Sequence, residues 1–265
     1  KQWGFKGFVV TDFTGIPEMI AHGVGDLQTV TAMSLNAGVE MDMVGEGFLT
    51  TLKKSLDEKK VTIEQIDNAV TLILNAKYDL GLFEDPYKYC DDKRSKTEIF
   101  TASSRDEARK TAAQSLVLLK NQNQVLPLKK TGTIALIGPL ADAKNNMSGT
   151  WSVATNGDKC ISLLAGIQEV AGKSTKVLYA KGSNLDYDET FETNATMFGK
   201  TLNRDKRSKE EMLAEALKIA NQADVIVAAL GESAEMSGES SSRTNLEIPQ
   251  AQKDLLNELL KTGKP

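Results

Sequence analysis

Carboxylates follow two of the apolar stretches in this 265-residue sequence. Asp12 ends the first of these stretches, and Glu232, Glu235 and Glu239 lie in the loop after Gly231. In parallel α/β structures, reactive groups collect at the carboxyl ends of the strands. One carboxylate that attacks a sugar carbon and a second that acts as an acid are the minimum set for retaining glycoside hydrolysis, which needs the two about 5–5.5 Å apart. The pattern indicates this chemistry, although carboxylates at such positions also serve as turn formers, helix caps or solvated groups.

The scarcity of histidine and cysteine excludes several other chemistries. A Cys/His zinc site needs three or four such ligands at close spacing, and the chain has only His22, Cys90 and Cys160. A Ser-His-Asp triad would have to use His22, whose turn-rich surroundings favour a solvated or structural role. The sequence leaves open whether the two cysteines pair.

A phosphate-binding loop is the main rival to the carboxylate chemistry. The turn at residues 138–142 follows an apolar stretch, as in a dinucleotide-binding domain, but it lacks G-x-G-x-x-G. Pro139 removes one backbone N–H donor, and Glu232 would place a negative charge where a phosphate would lie. A nucleotide-binding oxidoreductase domain therefore remains only as an alternative from another class.

Composition narrows the class of partner further. The chain has 32 basic and 36 acidic residues, for a formal charge of −4, so no basic excess is available to displace counterions from nucleic acid. The longest apolar runs, such as residues 225–230, fall far short of the roughly 18 residues that a membrane span needs. We expect neither nucleic acid binding nor a membrane span.

Strands and helices that alternate along the chain must position these residues. In the first part, the patterns predict buried strands at residues 7–12 and 39–44 and helices at 26–36 and 48–59, with a long helix that starts at a capping box on Thr62. A connector at 81–104 and a helix at 105–120 follow. In the second part, the patterns predict strands at 133–138, 177–180 and 224–231 and helices at 163–170, 209–222 and 249–261. Near-continuous apolar strands between helices indicate parallel pairing, with a doubly wound α/β domain in the second part.

Five sequence motifs occur in an order that is typical of one known family. They are GFVVTDF at 7–13, AGVEMDM at 37–43, KYDLGLF at 77–83, SLVLLKN at 115–121 and IALIGPLAD at 134–142. With them, the chain resembles glycoside hydrolase family 3, in particular its bacterial β-glucosidases. The resemblance implies an α/β fold that is incomplete at both ends. Its parts would be the C-terminal part of a (β/α)8 barrel at residues 1–80, an interdomain linker and helix at 81–130, and a doubly wound α/β sandwich domain at 131–265.

The resemblance also implies roles for individual residues. Asp12 would be the nucleophile that forms the glycosyl-enzyme intermediate, and Glu239 would be the acid/base on a loop of the second domain, with Glu235 as the fallback. Trp151 would stack on the leaving-group sugar and Phe13 would form the opposite wall, because an aromatic face suits the apolar CH face of a sugar ring. Such a double displacement needs no metal and no organic cofactor.

The function that the resemblance implies is release of a terminal β-linked sugar, foremost β-D-glucose, from oligosaccharides or glucosides. A β-xylosidase of the same family and a non-catalytic carbohydrate-binding remnant of the fold remain as alternatives. The family resemblance suggests a periplasmic or extracellular location. Because the first six barrel strands are absent, we expect these 265 residues alone to be inactive, with open apolar edges on the two strands that are present.

Overall fold

The chain divides into two compact units, Lys1–Leu116 and Val117–Pro265. The computed structural model describes residues 3–152, 155–194, 204–239 and 241–265, and of residues 193, 194 and 235 it describes the backbone alone. Each unit buries its own cluster of apolar side chains. The two units are therefore described one after the other.

The first unit consists mainly of helices. They are α1 (Gly15–Ala21), α2 (Leu27–Ala37), α3 (Gly47–Asp57), α4 (Ile63–Asp79), α5 (Arg94–Glu98) and α6 (Ala102–Ser115). The predicted capping box of α4 is confirmed, because the Thr62 N–H donates to Gln65 Oε1 at 2.8 Å and the Gln65 N–H donates to Thr62 Oγ1 at 3.3 Å. The predicted end of α2 is confirmed as well, since Gly38 adopts φ 92°.

The core of the first unit lies where α2, α3 and α4 meet. Buried Leu35 and Ala32 of α2 pack with Val61 and with Ala69 of α4. Phe48, Leu52 and Leu56 of α3 pack against this cluster from one side. Ile66, one of the apolar residues at helical spacing from which α4 was predicted, also packs against this cluster.

The two strands predicted in the first unit are reduced to a single parallel bridge between Val10 and Met41. The direction of pairing is as predicted: the Met41 N–H donates to the Val9 carbonyl and the Thr11 N–H to the Met41 carbonyl, both at 3.0 Å. The predicted burial is wrong, because Val9, Val10 and Met41 are 40–43% exposed. In the described structure each segment pairs along one edge, and the side chains of Val9, Val10 and Met41 stay open to solvent.

The helix predicted at residues 105–120 ends early. Helix α6 stops at Ser115, and Leu116 already has extended backbone angles (φ −72°, ψ 132°). None of the described side chains of α6 is buried, and Leu116 and Leu119 are 81% and 91% exposed. Tertiary packing supplies most of the stability of a helix, so an apolar face without a partner does not extend it.

The second unit contains a parallel sheet with helices. The strands are β1 (Gly132–Ile137), β2 (Thr175–Ala180) and β3 (Val225–Ala228), and the helices are α7 (Leu163–Ala171), α8 (Glu189–Asn194), α9 (Lys209–Gln222) and α10 (Gln250–Leu260). In the described part of the chain, the strand order is β2-β1-β3 with all pairs parallel. This confirms the predicted α/β class with a parallel sheet. Strand β3 is shorter than predicted and only partly buried.

Alternate residues of β1 define the core of the second unit. Ala135 and Ile137 pack with Ala216 and Ala220 of α9 and with Leu255 of α10, and all five are at most 2% exposed. The small side chains of α9 let its backbone approach the sheet closely. Helices α9 and α10 therefore cover one face of the sheet.

Candidate functional site

Asp12 lies directly after the bridge that joins residues 10 and 41. Its side chain is exposed, and its Oδ1 accepts the N–H of Phe13 at 2.6 Å. The bond between the Thr11 N–H and the Met41 carbonyl holds the preceding backbone in place. The structure thus presents the Asp12 carboxylate to solvent at the carboxyl end of a parallel pair, where the sequence predicted a reactive group.

Phe13 lies on the turn that follows Asp12, and 61% of its surface is exposed. Thr14 has φ 57°, and its Oγ1 lies 2.7 Å from the Phe13 carbonyl oxygen and 2.8 Å from Glu18 Oε1. This turn leads directly into α1, which sequence patterns did not predict. The geometry leaves the Phe13 ring free of the core and therefore open to a ligand.

Glu40 is a buried carboxylate that the sequence analysis did not single out. It is 4% exposed, and its Oε2 accepts the N–H of Val9 at 2.7 Å. It therefore positions the segment that ends at Asp12. The sequence does carry a signal for Glu40, namely an acidic residue inside an apolar run. A charge that is buried in such a run needs a specific partner.

The carboxyl ends of β1 and β3 meet in the second unit. The Ala229 N–H donates to the Ile137 carbonyl at 2.8 Å, and a side chain on Gly138 would clash with the Ala229 carbonyl oxygen. Because β1 lies between β2 and β3, the connection from β1 to β2 and the connection from β2 to β3 run in opposite directions across the sheet. The neighbouring ends of β1 and β3 are therefore the switch point where ligands of such folds bind.

The loop that carries Glu239 starts at this switch point and is held at its first residue by α10. The Gly231 N–H donates to Gln252 Oε1 at 2.8 Å, and Gln252 Nε2 donates back to the Gly231 carbonyl at 2.8 Å. Gln252 is fully buried. Gln252 was not among the residues selected from sequence, although a polar residue on the apolar stripe of α10 was a usable signal.

The same loop is anchored on the segment that precedes Trp151. Asn146 Oδ1 accepts the N–H of Ala234 at 3.2 Å, and Thr150 Oγ1 donates to the Ala234 carbonyl. A side chain on Gly238 would meet Thr150 Cγ2 at 2.6 Å, so the two segments are in close contact. Within this unit, the structure brings together the segments that carry Trp151 and Glu239.

Of the predicted site residues in the second unit, Trp151 is 65% exposed and Glu239 is also exposed. The side chain of Glu235 lies outside the described part of the chain. Glu232 forms an ion pair with Arg243, and both side chains are at least two-thirds buried. The side chain of Glu232 is therefore held within this unit, whereas that of Glu239 is open to solvent.

The backbone at the ends of β1 and β3 does not suit a phosphate. The Gly138 N–H donates to the Ala180 carbonyl at 3.2 Å, and the Gly231 N–H is held by Gln252. A dinucleotide loop needs such donors for the pyrophosphate. This agrees with the missing glycine motif and argues against the oxidoreductase alternative.

The histidine and the cysteines have no part in the described site. His22 is exposed and caps the end of α1, which confirms a solvated or structural role. Cys90 and Cys160 are both free thiols in the described structure. Across the described ranges, no group of three His, Cys, Asp or Glu side chains could hold a metal ion. Nor do these ranges contain a helix that is both long and apolar enough to cross a membrane.

Known proteins match the chain over its whole length. It is 44% identical to the periplasmic beta-glucosidase of Salmonella typhimurium, covering 100% of this chain and 35% of that protein. It is 32% identical to a beta-xylosidase of Formosa agariphila, covering 100% of this chain and 36% of that protein. The chain thus spans about a third of the length of these relatives.

Solved structures agree with the sequence relatives. The beta-glucosidase from Listeria innocua in complex with isofagomine superimposes with a TM-score of 0.82 at 30% identity, covering 100% of this chain and 34% of that one. A beta-glucosidase involved in saponin metabolism from intestinal bacteria gives a TM-score of 0.82 at 27% identity, covering 99% and 37%.

Two family models together cover most of the sequence. Residues 1–76 match the glycosyl hydrolase family 3 N terminal domain, and residues 116–265 match the glycosyl hydrolase family 3 C-terminal domain. The chain belongs to glycosyl hydrolase family 3.

Proposed function

We propose that the protein is a retaining glycoside hydrolase that releases a terminal β-linked sugar, foremost β-D-glucose, from oligosaccharides or glucosides. The observation that carries the proposal is the 44% identity, across both units, to a protein named as a periplasmic beta-glucosidase. The same name supports a periplasmic or extracellular location for this protein. The exposed carboxylate of Asp12 at the end of a parallel pair supports it as one of the two carboxyl groups that such chemistry uses.

The reaction is a double displacement at the anomeric carbon. In the first step, the Asp12 carboxylate forms a bond to this carbon while the bond to the leaving oxygen breaks and Glu239 donates a proton to that oxygen. In the second step, Glu239 takes a proton from water, the water oxygen attacks the anomeric carbon, and the bond to Asp12 breaks. Two inversions give net retention. Phe13 and Trp151 supply aromatic faces for the sugar next to the cleaved bond.

The finer fold belongs to the same proposal. The parallel bridge at Val10 and Met41, with α2 between its two segments, suits the last part of a (β/α)8 barrel at residues 1–80. A linker and helix at 81–130 and a doubly wound α/β sandwich domain at 131–265 complete the assignment. The β2-β1-β3 order of the parallel sheet is the support for the sandwich domain.

A mechanism-based label tests the role of Asp12. The native protein is incubated with a 2-fluoro-β-glucoside that carries a good leaving group, and its intact mass is measured before and after. We expect one added sugar, on the peptide that contains Asp12. Asp12→Asn should take no label, whereas Asp67→Asn, at an exposed carboxylate on α4, should be labelled like the wild type. A native protein that takes no label from this glucoside or from the matching 2-fluoro-xyloside would contradict hydrolysis and favour saccharide binding without turnover.

Leaving-group dependence tests the role of Glu239. Glu239→Gln should lower kcat/KM by about 10²–10⁴-fold for unactivated glucosides and much less for aryl glucosides, because activated leaving groups need little help from an acid. An equal loss for both substrate types would remove Glu239 from this role.

A β-xylosidase is the second candidate, and the 32% identity to the Formosa protein favours it. A 2-fluoro-xyloside tested in parallel distinguishes the two. Faster labelling by the xyloside would assign the protein to the xylosidases.

A further inference from the structure

The second unit contains a pocket of about 500 Å³ beside the carboxyl ends of β1 and β2. It is lined by the segment that follows β1, by the end of β2 and by Arg204. Its volume lies within the range of about 300–1,000 Å³ for small-molecule sites. The carboxyl edge of a parallel sheet is also the edge where such folds bind ligands.

The side chains of the pocket suit a neutral polar ligand. Three cations and three carboxylates line it, namely Lys144, Lys181 and Arg204 with Asp142, Asp158 and Glu192. Arg204 and Glu192 form an ion pair, and Glu192 is 4% exposed. The balance of charge gives no net attraction for an anion or a cation, and an apolar ligand would leave the polar groups unsatisfied. A polyhydroxylated ligand offers both donors and acceptors to such a lining.

Lys181 is a half-buried lysine in the lining of this pocket. It follows the last residue of β2 directly, and its Nζ donates to Asn184 Oδ1 at 2.9 Å. Burial lowers the pKa of Lys181, although Glu192 and Asp205 act in the opposite direction. Lysines normally extend their ammonium group into bulk water, and a half-buried one at a strand end in a pocket marks a candidate binding group.

The pocket adjoins the segments that carry the proposed site residues of this unit. Asn146 lines the pocket, and its Oδ1 accepts the N–H of Ala234 in the loop that leads to Glu239. Trp151 follows the same segment five residues later. The pocket therefore shares a wall with the segment that leads to Trp151 and that contacts the loop leading to Glu239.

From this arrangement we propose that the pocket around Lys181 and Asp142 is a binding site for a saccharide. The chemical class of the ligand, a neutral saccharide, rests on the lining of the pocket.

Binding of cellotetraose to the ¹⁵N-labelled chain tests the inference by NMR. We expect backbone amide signals of residues 142–146 and of Lys181 to shift during the titration. Lys181→Met removes the ammonium group at similar length and should weaken binding about tenfold, the value of one charge-assisted hydrogen bond. Lys176→Met makes the same change at an exposed lysine at the other end of β2 and should leave the affinity unchanged. Asp142→Ala should also weaken binding. Because Asp142 is exposed, this variant tests the pocket without removing a buried side chain.

Several results would overturn the inference. Cellotetraose could shift only signals outside the pocket, or both pocket variants could bind it as tightly as the wild type. Inorganic phosphate could produce the same shifts at lower concentration, which would make the pocket an anion site. Labelling of Asp12 in the native protein, by the 2-fluoro-glucoside or the 2-fluoro-xyloside, separates the two proposals. Labelling without pocket shifts overturns the pocket alone, whereas pocket shifts without labelling leave the saccharide site and remove the hydrolytic function.

Discussion

At the scale of single residues, Gln252 connects a helix to the loop that carries the proposed acid. Its side chain is fully buried. It accepts the Gly231 N–H and donates to the carbonyl oxygens of Gly231, at 2.8 Å, and Leu185, at 3.0 Å. If the Gln252 amide is lost, no water replaces it as partner of the backbone groups that it binds. The amide therefore contributes more to the stability of the second unit than its three hydrogen bonds alone would.

We predict that Gln252→Leu lowers the free energy of unfolding of the second unit by about 2–4 kcal/mol, because it leaves three buried backbone groups without partners. Gln250→Leu, at an exposed position two residues earlier on α10, should change it by less than about 0.5 kcal/mol. Urea unfolding of both variants measures the difference. Equal effects would mean that Gly231 and Leu185 find other partners.

At the scale of elements, the contact between β1 and β3 decides where the two loops start. Gly138 has φ 141° and leaves no room for a side chain beside the Ala229 carbonyl. The strands can therefore end side by side, and the loops after them leave from one place. This contact lets the segment with Asn146 anchor the loop with Ala234.

We expect Gly138→Ala to destabilise the second unit by about 3 kcal/mol, through backbone strain and through separation of β1 from β3. Gly166→Ala in the middle of α7 is the matched control, because the nearest atom to its new Cβ is 3.9 Å away. That change should be neutral or stabilise by up to about 1 kcal/mol. Thermal unfolding followed by circular dichroism compares the two, and a similar loss for both would refute the role of the strand contact.

At the scale of the whole molecule, the chain has two cores of unequal size. The cluster in the first unit contains four buried residues, Ala32, Leu35, Val61 and Ala69. The cluster in the second unit contains eight, with the central strand β1 in its middle. Apolar burial is the main favourable term in folding, so the second unit should be the more stable one.

We predict that the units unfold in two steps, the first unit before the second. Val61→Ala should lower the free energy of unfolding in the first step by about 2 kcal/mol, and Leu255→Ala should lower that of the second step by about 2–5 kcal/mol. Both residues are 2% exposed, so each substitution leaves a cavity in its core. Hydrogen exchange followed by mass spectrometry reports each unit separately. A single transition, lowered by either substitution, would show that the two units unfold together.

Local signals in the sequence determined most of the helices, the three strands of the sheet and the α/β class. The capping box at Thr62 and Gln65, the glycine after α2 and the apolar run of β1 each act within a few residues, so their effect does not depend on the rest of the chain. Asp12, Phe13, Trp151 and Glu239 were also selected from sequence, and their roles stay predictions.

Tertiary structure alone decided where the long-range partners lie. The failure of helix α6 to reach residue 120 and the exposure of Val10 follow from packing partners, which periodicity does not report. The bond between Asn146 and Ala234 joins residues 88 positions apart, and the clamp on Gly231 joins residues 21 positions apart. A sequence pattern encodes what one segment prefers, whereas the partners of a buried polar group depend on which distant backbone the fold brings beside it.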